Sequence, residues 1–585
     1  MKKKTFRMVS ILTSWLSVFS MAFGMAGCGH QHEFNQKVTD AKYIQAEATC
    51  EKAAQYYLSC ECGEHGEETF AYGKPLEHSY TASIESEEYL KTPATCQTGA
   101  EYYKSCELCG KKSYTTFFSE TLGEHVFNQK KATKAYLKEE ATTASAAIYY
   151  MSCECGASGT ETFEYGEKLR EYTEEEKALY RPTSLTVTLY DTAESVYGFT
   201  YNTQSSPLLP VIQIAQDSNF VDYVEYSVFV EKATSYAKEG SKDIEITYYV
   251  SKAEIELEES TTYTYRVYDK RVGVGTDLVT FTTKDLSATK FTFAHLSDSQ
   301  MTNSTGENLG KVLANVMQSS DFVVHTGDLV EWSKYESEWE DMLHDNFEYF
   351  SKIPVMAISG NHETTYQNGK QETYKHFNHN IPEQNVDKGY YYSFTYGNAK
   401  FIMLNTNKLD GEKLTQEQYT WLVNELQNNT ATWTIVAMHN PMYSVGNYGA
   451  NPDRNSIALS LRQQLQSLFA EYGVDVVLQG HDHAISRTFP INKDGEAMQE
   501  TWQDVDGVSY SVDPNGVLYV MNGPSGTQSR EPYAVDNTLY HYAQASNARS
   551  WAEVAIDGNK MVVTVKYTDG TTTGEYQEWG IIKTA

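Results

Sequence analysis

Two periods of apolar residues organise most of the chain. Between residues 183 and 286 they alternate with polar ones: Leu185-Thr-Val-Thr-Leu189, Val196-Tyr-Gly-Phe-Thr-Tyr201, Tyr263-Thr-Tyr-Arg-Val267 and Leu278-Val-Thr-Phe-Thr282. Alternation sends every second side chain to one face, so these segments predict short strands of a β-sandwich of fibronectin type III. From residue 288 to 585 continuous apolar runs replace alternation and are separated by amphipathic stretches. Leu309 to Met317, Thr415 to Leu426 and Ile457 to Tyr472 predict helices. Strands alternating with helices predict an α/β domain. Trp551 to Tyr567 and Gly580 to Lys583 predict strands that close it. Residues 171–182 between the repeats and the sandwich are charged and linker-like.

Residues 28–170 carry neither period but repeat themselves, in units of about 30–77, 78–124 and 125–170. His32, His78 and His125 lie 46 and 47 residues apart, each with an aromatic residue two positions on. Eighteen residues after each His stand Cys50, Cys96 and Thr143; ten further on stand Cys60, Cys106 and Cys153, followed by Cys62, Cys109 and Cys155. One His and three Cys make a full tetrahedral zinc set. On that reading each repeat binds its own ion, and the third, with Thr143 in place of a thiolate, binds weakest. Disulfides are the rival reading, although three Cys per unit do not pair evenly. Small β-rich repeats of this kind suit a stalk or an adhesive module with a cell-surface partner.

The length, 585 residues, suggests about three to four domains. A formal charge of −31 repels nucleic acid polymers and anionic membrane surfaces. A long nucleic acid is therefore an unfavourable substrate, whereas a small phosphate ester is not excluded. Lys2 to Lys4 and Arg7 precede an apolar stretch from Met8 to Phe23, which reads as an export signal over residues 1–27. Met25-Ala-Gly-Cys28 resembles a bacterial lipoprotein cleavage box, which implies lipid on Cys28 and a chain anchored on the extracellular face of the cell membrane; an ordinary secretory signal is the alternative.

The chemistry concentrates where five apolar runs end. Asp298 follows Phe291 to Ser297, and Asp328 follows Phe322 to Gly327. Asn361 and His362 follow Val355 to Gly360, His439 follows Trp433 to Met438, and His481 and His483 follow Val476 to Gly480. Five strand tips bearing Asp, Asn or His predict a metal centre. Carboxylate, amide oxygen and imidazole suit hard or borderline divalent cations. A two-metal site needs a bridging ligand. Asp328 is the natural bridge; Asp298 and His483 complete one site, and Asn361, His439 and His481 the other. If the backbone stays extended, His481 and His483 point the same way. The glycines before Asp328, Asn361 and His481 are expected to permit sharp turns. His295, His325, His376 and His379 read as structural or surface residues.

The set Asp298-Ser-Gln300, Gly327-Asp328, Gly360-Asn-His-Glu363, His439-Asn-Pro441 and Gly480-His-Asp-His483 resembles the calcineurin-like metallophosphoesterases, most closely their purple acid phosphatase branch. The resemblance covers roughly residues 183–585. It implies two packed sheets flanked by helices, two metal ions (Fe, Mn or Zn), and hydrolysis of phosphate mono- or diesters by a metal-bridging hydroxide. It also implies that His362 stands on the leaving-group side as acid. Arg487 is a candidate for packing or for substrate contact. Two positions depart from the pattern. Glu331 stands where the branch usually has a metal-ligating tyrosine, the source of its colour. Gln300 stands where the superfamily usually has His, so the fourth ligand of the first site is Gln300, a water or Glu331. A surface adhesin with a vestigial phosphoesterase domain is the alternative reading.

Overall fold

Each repeat folds as the same short meander. In this computed structural model the three sheets are Ile44–Ala46, Ala54–Ser59 and His65–Tyr72; Leu90–Thr92, Glu101–Ser105 and Lys112–Phe118; and Leu137–Glu139, Ala147–Ser152 and Ser158–Tyr165. The structure describes residues 32–584 except 95, 97, 120–124, 143, 303–305, 365–374, 378–389, 408, 534–537 and 547. The export signal, Cys28, Thr143 and His379 therefore lie outside the described residues. The chain divides into two units, residues 1–168 and 169–585.

The repeats bury very little. In the first, the buried apolar side chains are Tyr43, Cys50, Ala54 and Cys60. Tyr43, Tyr89 and Tyr136 each donate a hydroxyl hydrogen bond of 2.9 Å to a turn carbonyl, those of Gly63, Gly110 and Gly156. These tyrosines pin the turns that carry the paired cysteines.

The expectation of one complete ligand set per repeat is corrected here. Cys50 of the first repeat gathers with His78, Cys106 and Cys109 of the second; Cys96 of the second gathers with His125, Cys153 and Cys155 of the third. His32, Cys60 and Cys62 are left as a cluster of three. The incomplete set among the described residues is thus the first, not the third. The reason is reach: Cys50 and Cys96, the first Cys of the first two repeats, lie against the ligands of the following unit, which the linear spacing does not reveal.

In the second unit, the segment read as a linker holds a short helix, Glu174–Ala178. Its N-terminus is closed by a reciprocal cap in which Thr173 accepts from the Glu176 backbone and Glu176 accepts from Thr173. The alternating region then forms two antiparallel sheets. One orders Thr183–Asp191, Val196–Thr203, Lys242–Glu256 and Phe229–Glu239; the other pairs Val224–Ser227, Pro210–Ala215 and Thr262–Asp269, with Val274–Gly275 and Val279–Thr282 along its far edge.

The remainder is two larger sheets. The first orders Val355–Ala357, Phe322–His325, Lys290–Leu296, Arg549–Asp557, Lys560–Thr568, Thr573–Ile582, Val508–Val512 and Trp502–Val505. The second orders Tyr392–Tyr396, Ala399–Met403, Trp433–Met438, Val476–Gln479, Leu518–Asn522, Ile485–Thr488 and Tyr540–Gln544. Phe293, Phe322, Val324, Phe401, Ile435, Leu478 and Val554 share the core between the sheets. Val323 faces the opposite way, into a cluster with Leu309, Leu313 and Trp339 of the helices Gly306–Ser319 and Glu336–Asp345. Strands covered on both faces cannot alternate, which explains their continuous apolar runs. The predicted helices are Gly306–Ser319, Gln416–Gln427 and Ser456–Glu471. No helix among the described residues is long and apolar enough to cross a membrane.

Candidate metal centre

The central strands of both sheets run parallel, so their C-terminal tips emerge at one end. Backbone conformation there is unusual. Asp298, Gln300, Asp328, His481 and His483 have φ of 51°, 40°, 54°, 75° and 53°. Non-glycine residues seldom adopt this left-handed region, and it concentrates where surrounding structure enforces it for function.

The extended backbone expected at His481-Asp-His483 is therefore corrected. Both imidazoles reach the centre through left-handed turns, not strand alternation. Asp482 between them is buried and accepts from the Tyr448 and Gly449 backbones at 2.8 Å. The three glycines also divide in role. Gly327 takes the turn, with φ 97°. Gly360 and Gly480 serve close approach: a Cβ on Gly360 would lie 2.1 Å from Asp328 Oδ1, and one on Gly480 would lie 2.3 Å from Ser297 Oγ.

The ligand atoms converge as two adjoining groups. Asp328, His439 and His481 present ligand atoms within 4.8 Å of one another. His439 Nε2 lies 3.3 Å from Asp328 Oδ2 and 3.0 Å from Asn361 Oδ1. His483 Nε2 lies 3.4 Å from Asp298 Oδ1. The tautomers suit coordination: His439 Nδ1 donates to Thr326 O at 2.8 Å and His483 Nδ1 to Gln528 O at 3.0 Å, which turns both Nε2 atoms inward. His483 Nε2 is buried without a hydrogen-bond partner. A buried polar atom aimed at a carboxylate without a bond of its own fits a cation. Asp298 and Asp328 are held below the usual carboxylate range; burial alone would raise them, but the facing imidazoles, His483 and His439, outweigh it. The same pairing lifts His439 to about 9 against its burial.

His362 sits at the rim, partly exposed. Its Nδ1 donates to Glu331 O at 2.7 Å, and its Nε2 lies 3.8 Å from Asp328 Oδ2. Burial lowers its basicity, but Asp328, the Glu331 carbonyl and Glu331 itself outweigh that and raise it. Gln300, one of the candidates for the fourth ligand, lies against His362, amide nitrogen to Nε2 at 2.8 Å. An amide meets either protonation state of an imidazole: its NH2 donates to the neutral ring, and its carbonyl, once the group turns over, accepts from the charged one.

Of the two roles open to Arg487, packing is the one its surroundings support. The side chain is fully buried, forms paired bonds to Glu500 at 3.1 and 2.5 Å, and packs over the Trp579 ring. It is a structural cation, not a substrate contact. Sequence reasoning missed Glu363. This buried carboxylate accepts from the backbones of Asp328, Leu329, Val330 and Gly360 at 2.9, 2.9, 3.4 and 2.7 Å. It staples two strand tips together, and its place in Gly360-Asn-His-Glu363 was the available signal. His295 and His325 are structural as expected. His295 bridges Thr326 and Asn522, His325 meets Ser299, and burial holds them neutral, lowered to about 3 and about 4.

Residues 291–484 match the calcineurin-like phosphoesterase family model. The chain carries a calcineurin-like phosphoesterase domain. Purple acid phosphatases are among its homologues. Purple acid phosphatase 23 of Arabidopsis thaliana is 26% identical over 304 residues, 46% of this chain and 60% of the relative's length. The probable inactive purple acid phosphatase 1 of the same plant is 25% identical over 233 residues, 37% of this chain and 36% of its own length. The match thus spans between about a third and three-fifths of these relatives. The purple acid phosphatase of yellow lupin (Lupinus luteus) seeds superposes with a TM-score of 0.56 at 16% identity, over 87% of this chain and 89% of that one. This last likeness concerns the fold alone.

Proposed function

We propose that this protein is an extracellular, lipid-anchored phosphoesterase that uses two metal ions to hydrolyse small phosphate mono- or diesters. The observation that carries the reading is the convergence of Asp298, Asp328, Asn361, His439, His481 and His483 from five strand tips, with His483 Nε2 buried, facing Asp298 and without a hydrogen-bond partner. Asp328, Asn361, His439 and His481 would hold one ion, and Asp328, Asp298 and His483 the other, as Fe, Mn or Zn. When bound, the ions supply Lewis-acid charge that activates water and offsets charge on the phosphoryl oxygens.

The chain's own residues do the rest. Asp328 lies between the two groups and balances positive charge. His362 holds a proton on Nε2, supported by Glu331 O behind it, and delivers it to the departing oxygen. Gln300 keeps the ring in place before and after that transfer. The sandwich, read as fibronectin type III-like, is a spacer.

The name of the inactive plant relative favours a second reading, a surface-binding lipoprotein with a vestigial domain. Turnover of a panel of phosphate esters by the purified chain decides between them. Metal-dependent hydrolysis supports the enzyme; metal binding without hydrolysis of any ester supports the binding protein.

A further inference from the structure

The repeats hold a second kind of metal chemistry that the phosphoesterase does not use. All eight cysteines after Cys28 fall into three clusters, each with one His. In the second, Cys50 Sγ lies 3.5 Å from Cys106 Sγ, and Cys109 Sγ lies 3.3 Å from His78 Nδ1. In the third, Cys96 Sγ lies 3.5 Å from Cys153 Sγ and 2.8 Å from Cys155 Sγ, with His125 Nδ1 at 3.3 and 3.5 Å from those two. In the first, His32 Nδ1 lies 3.3 and 3.1 Å from Cys60 and Cys62. The rings of His32 and His125 stack on Phe34 and Phe127, which holds the ring planes.

We propose that consecutive repeats are clipped together by zinc, with the fourth ligand given by the preceding repeat: Cys50 completes His78, Cys106 and Cys109, and Cys96 completes His125, Cys153 and Cys155. Three thiolates and an imidazole are a closed tetrahedral set for zinc, and thiolate softness excludes magnesium and calcium. The first cluster, with two thiolates and an imidazole, is a weaker site.

Disulfides are the competing use of these sulfurs, and the structure draws Cys60 to Cys62 and Cys153 to Cys155 as bonded pairs. A disulfide consumes two sulfurs and needs no imidazole. In the third cluster it would strand Cys96 against the pair, and in the second all three sulfurs remain thiols. A histidine in every cluster, and a third sulfur crossing from the neighbouring repeat in two of them, are what a four-coordinate ion requires. Stability gives the clips a purpose. Units of under 50 residues with so few buried side chains seldom fold without a metal or a covalent link. A clip between neighbours adds the nearest-neighbour coupling on which repeat arrays depend. It also explains Thr143: a cysteine there would serve a fourth repeat, and no fourth repeat follows.

The test uses the full chain under reducing conditions, loaded with Co2+ as a spectroscopic stand-in for zinc. Cys28 apart, only the repeats contain thiols, so the near-ultraviolet sulfur-to-cobalt band reports on them and is blind to the phosphoesterase centre. The parent should show the band, and Zn2+ should displace the cobalt. Cys50→Ser should remove between one- and three-eighths of the intensity, since the second cluster holds three of the eight sulfurs. Cys50→Ser with His78→Ala should lose no more than three-eighths, the share of that one cluster. Cys50→Ser with His32→Ala should lose the sum. Unaltered far-ultraviolet circular dichroism verifies that each variant folds. A reduced, folded parent without the band overturns the proposal, as does a Cys50 effect that adds to His78→Ala but not to His32→Ala.

Discussion

At the rim of the centre, His362, Gln300 and Glu331 form one chain of contacts, and each makes a separable prediction. His362→Ala should keep the metals yet lose turnover by about 10²–10⁴-fold. The deficit should shrink on esters with good leaving groups, which need little protonation. An alkyl phosphate hydrolysed at the parent rate would contradict the acid role. Gln300 touches the acid through one hydrogen bond. Gln300→Ala should therefore cost only about 2–10-fold in kcat, the worth of one such bond, with bound metal unchanged; loss of metal would restore its candidacy as a ligand. Glu331 gives its carbonyl to His362, and on the family resemblance it stands where a metal-ligating tyrosine is usual. The iron-loaded protein should therefore show no visible tyrosinate-to-iron band, and such a band would mean that another tyrosine binds.

At the scale of elements, strand tips were the legible feature and contacts across the chain were not. The runs ending at Asp298, Asp328, Asn361, His439 and His481 could be read because buried parallel strands are uniformly apolar and their ligands follow within a few residues. The left-handed turns at His481 and His483 could not, because alternation in sequence looks the same whether the backbone extends or coils. Arg487 stayed open because an exposed substrate cation and a buried one paired with Glu500 have the same local text. The repeats misled in register: spacing located every ligand but could not say which unit each would serve. Glu363 stood in a recognised motif without a role, since its partners are backbone groups. It tests how the tips are held. Glu363→Ala leaves four buried N–H donors unpaired, a loss of about 1–3 kcal/mol or more, and metal affinity should fall although no ligand is altered. Undiminished affinity, measured by competition with a chelator, would show that the tips do not need their staple.

Over the larger unit, the sandwich and the phosphoesterase domain meet through buried polar groups. Asn202 donates to Glu336 at 2.8 Å, and His376 stacks on Trp339 beside them. Burial, with Glu340 nearby, pushes Glu336 up to about 8, while burial lowers His376. The folded protein therefore keeps Glu336 protonated where the unfolded chain ionises it. Its contribution to stability is complete below the ordinary glutamate value near 4.5 and declines as pH rises toward 8. Glu336→Gln keeps the acceptor for Asn202 and should flatten that decline when unfolding midpoints are compared at pH 5 and pH 8; an unchanged slope would remove Glu336 from the account. The whole molecule is read as a metal-clipped stalk, a spacer and a metallophosphoesterase, and the last of these is its central claim. The most direct test follows turnover of a chromogenic phosphate ester by the full chain before chelation, after it, and after return of Mn, Zn or Fe, alongside Asp328→Asn. The account predicts activity that vanishes with the metal and returns with it, and that Asp328→Asn never shows. Activity indifferent to chelation, or retained in Asp328→Asn, would contradict it.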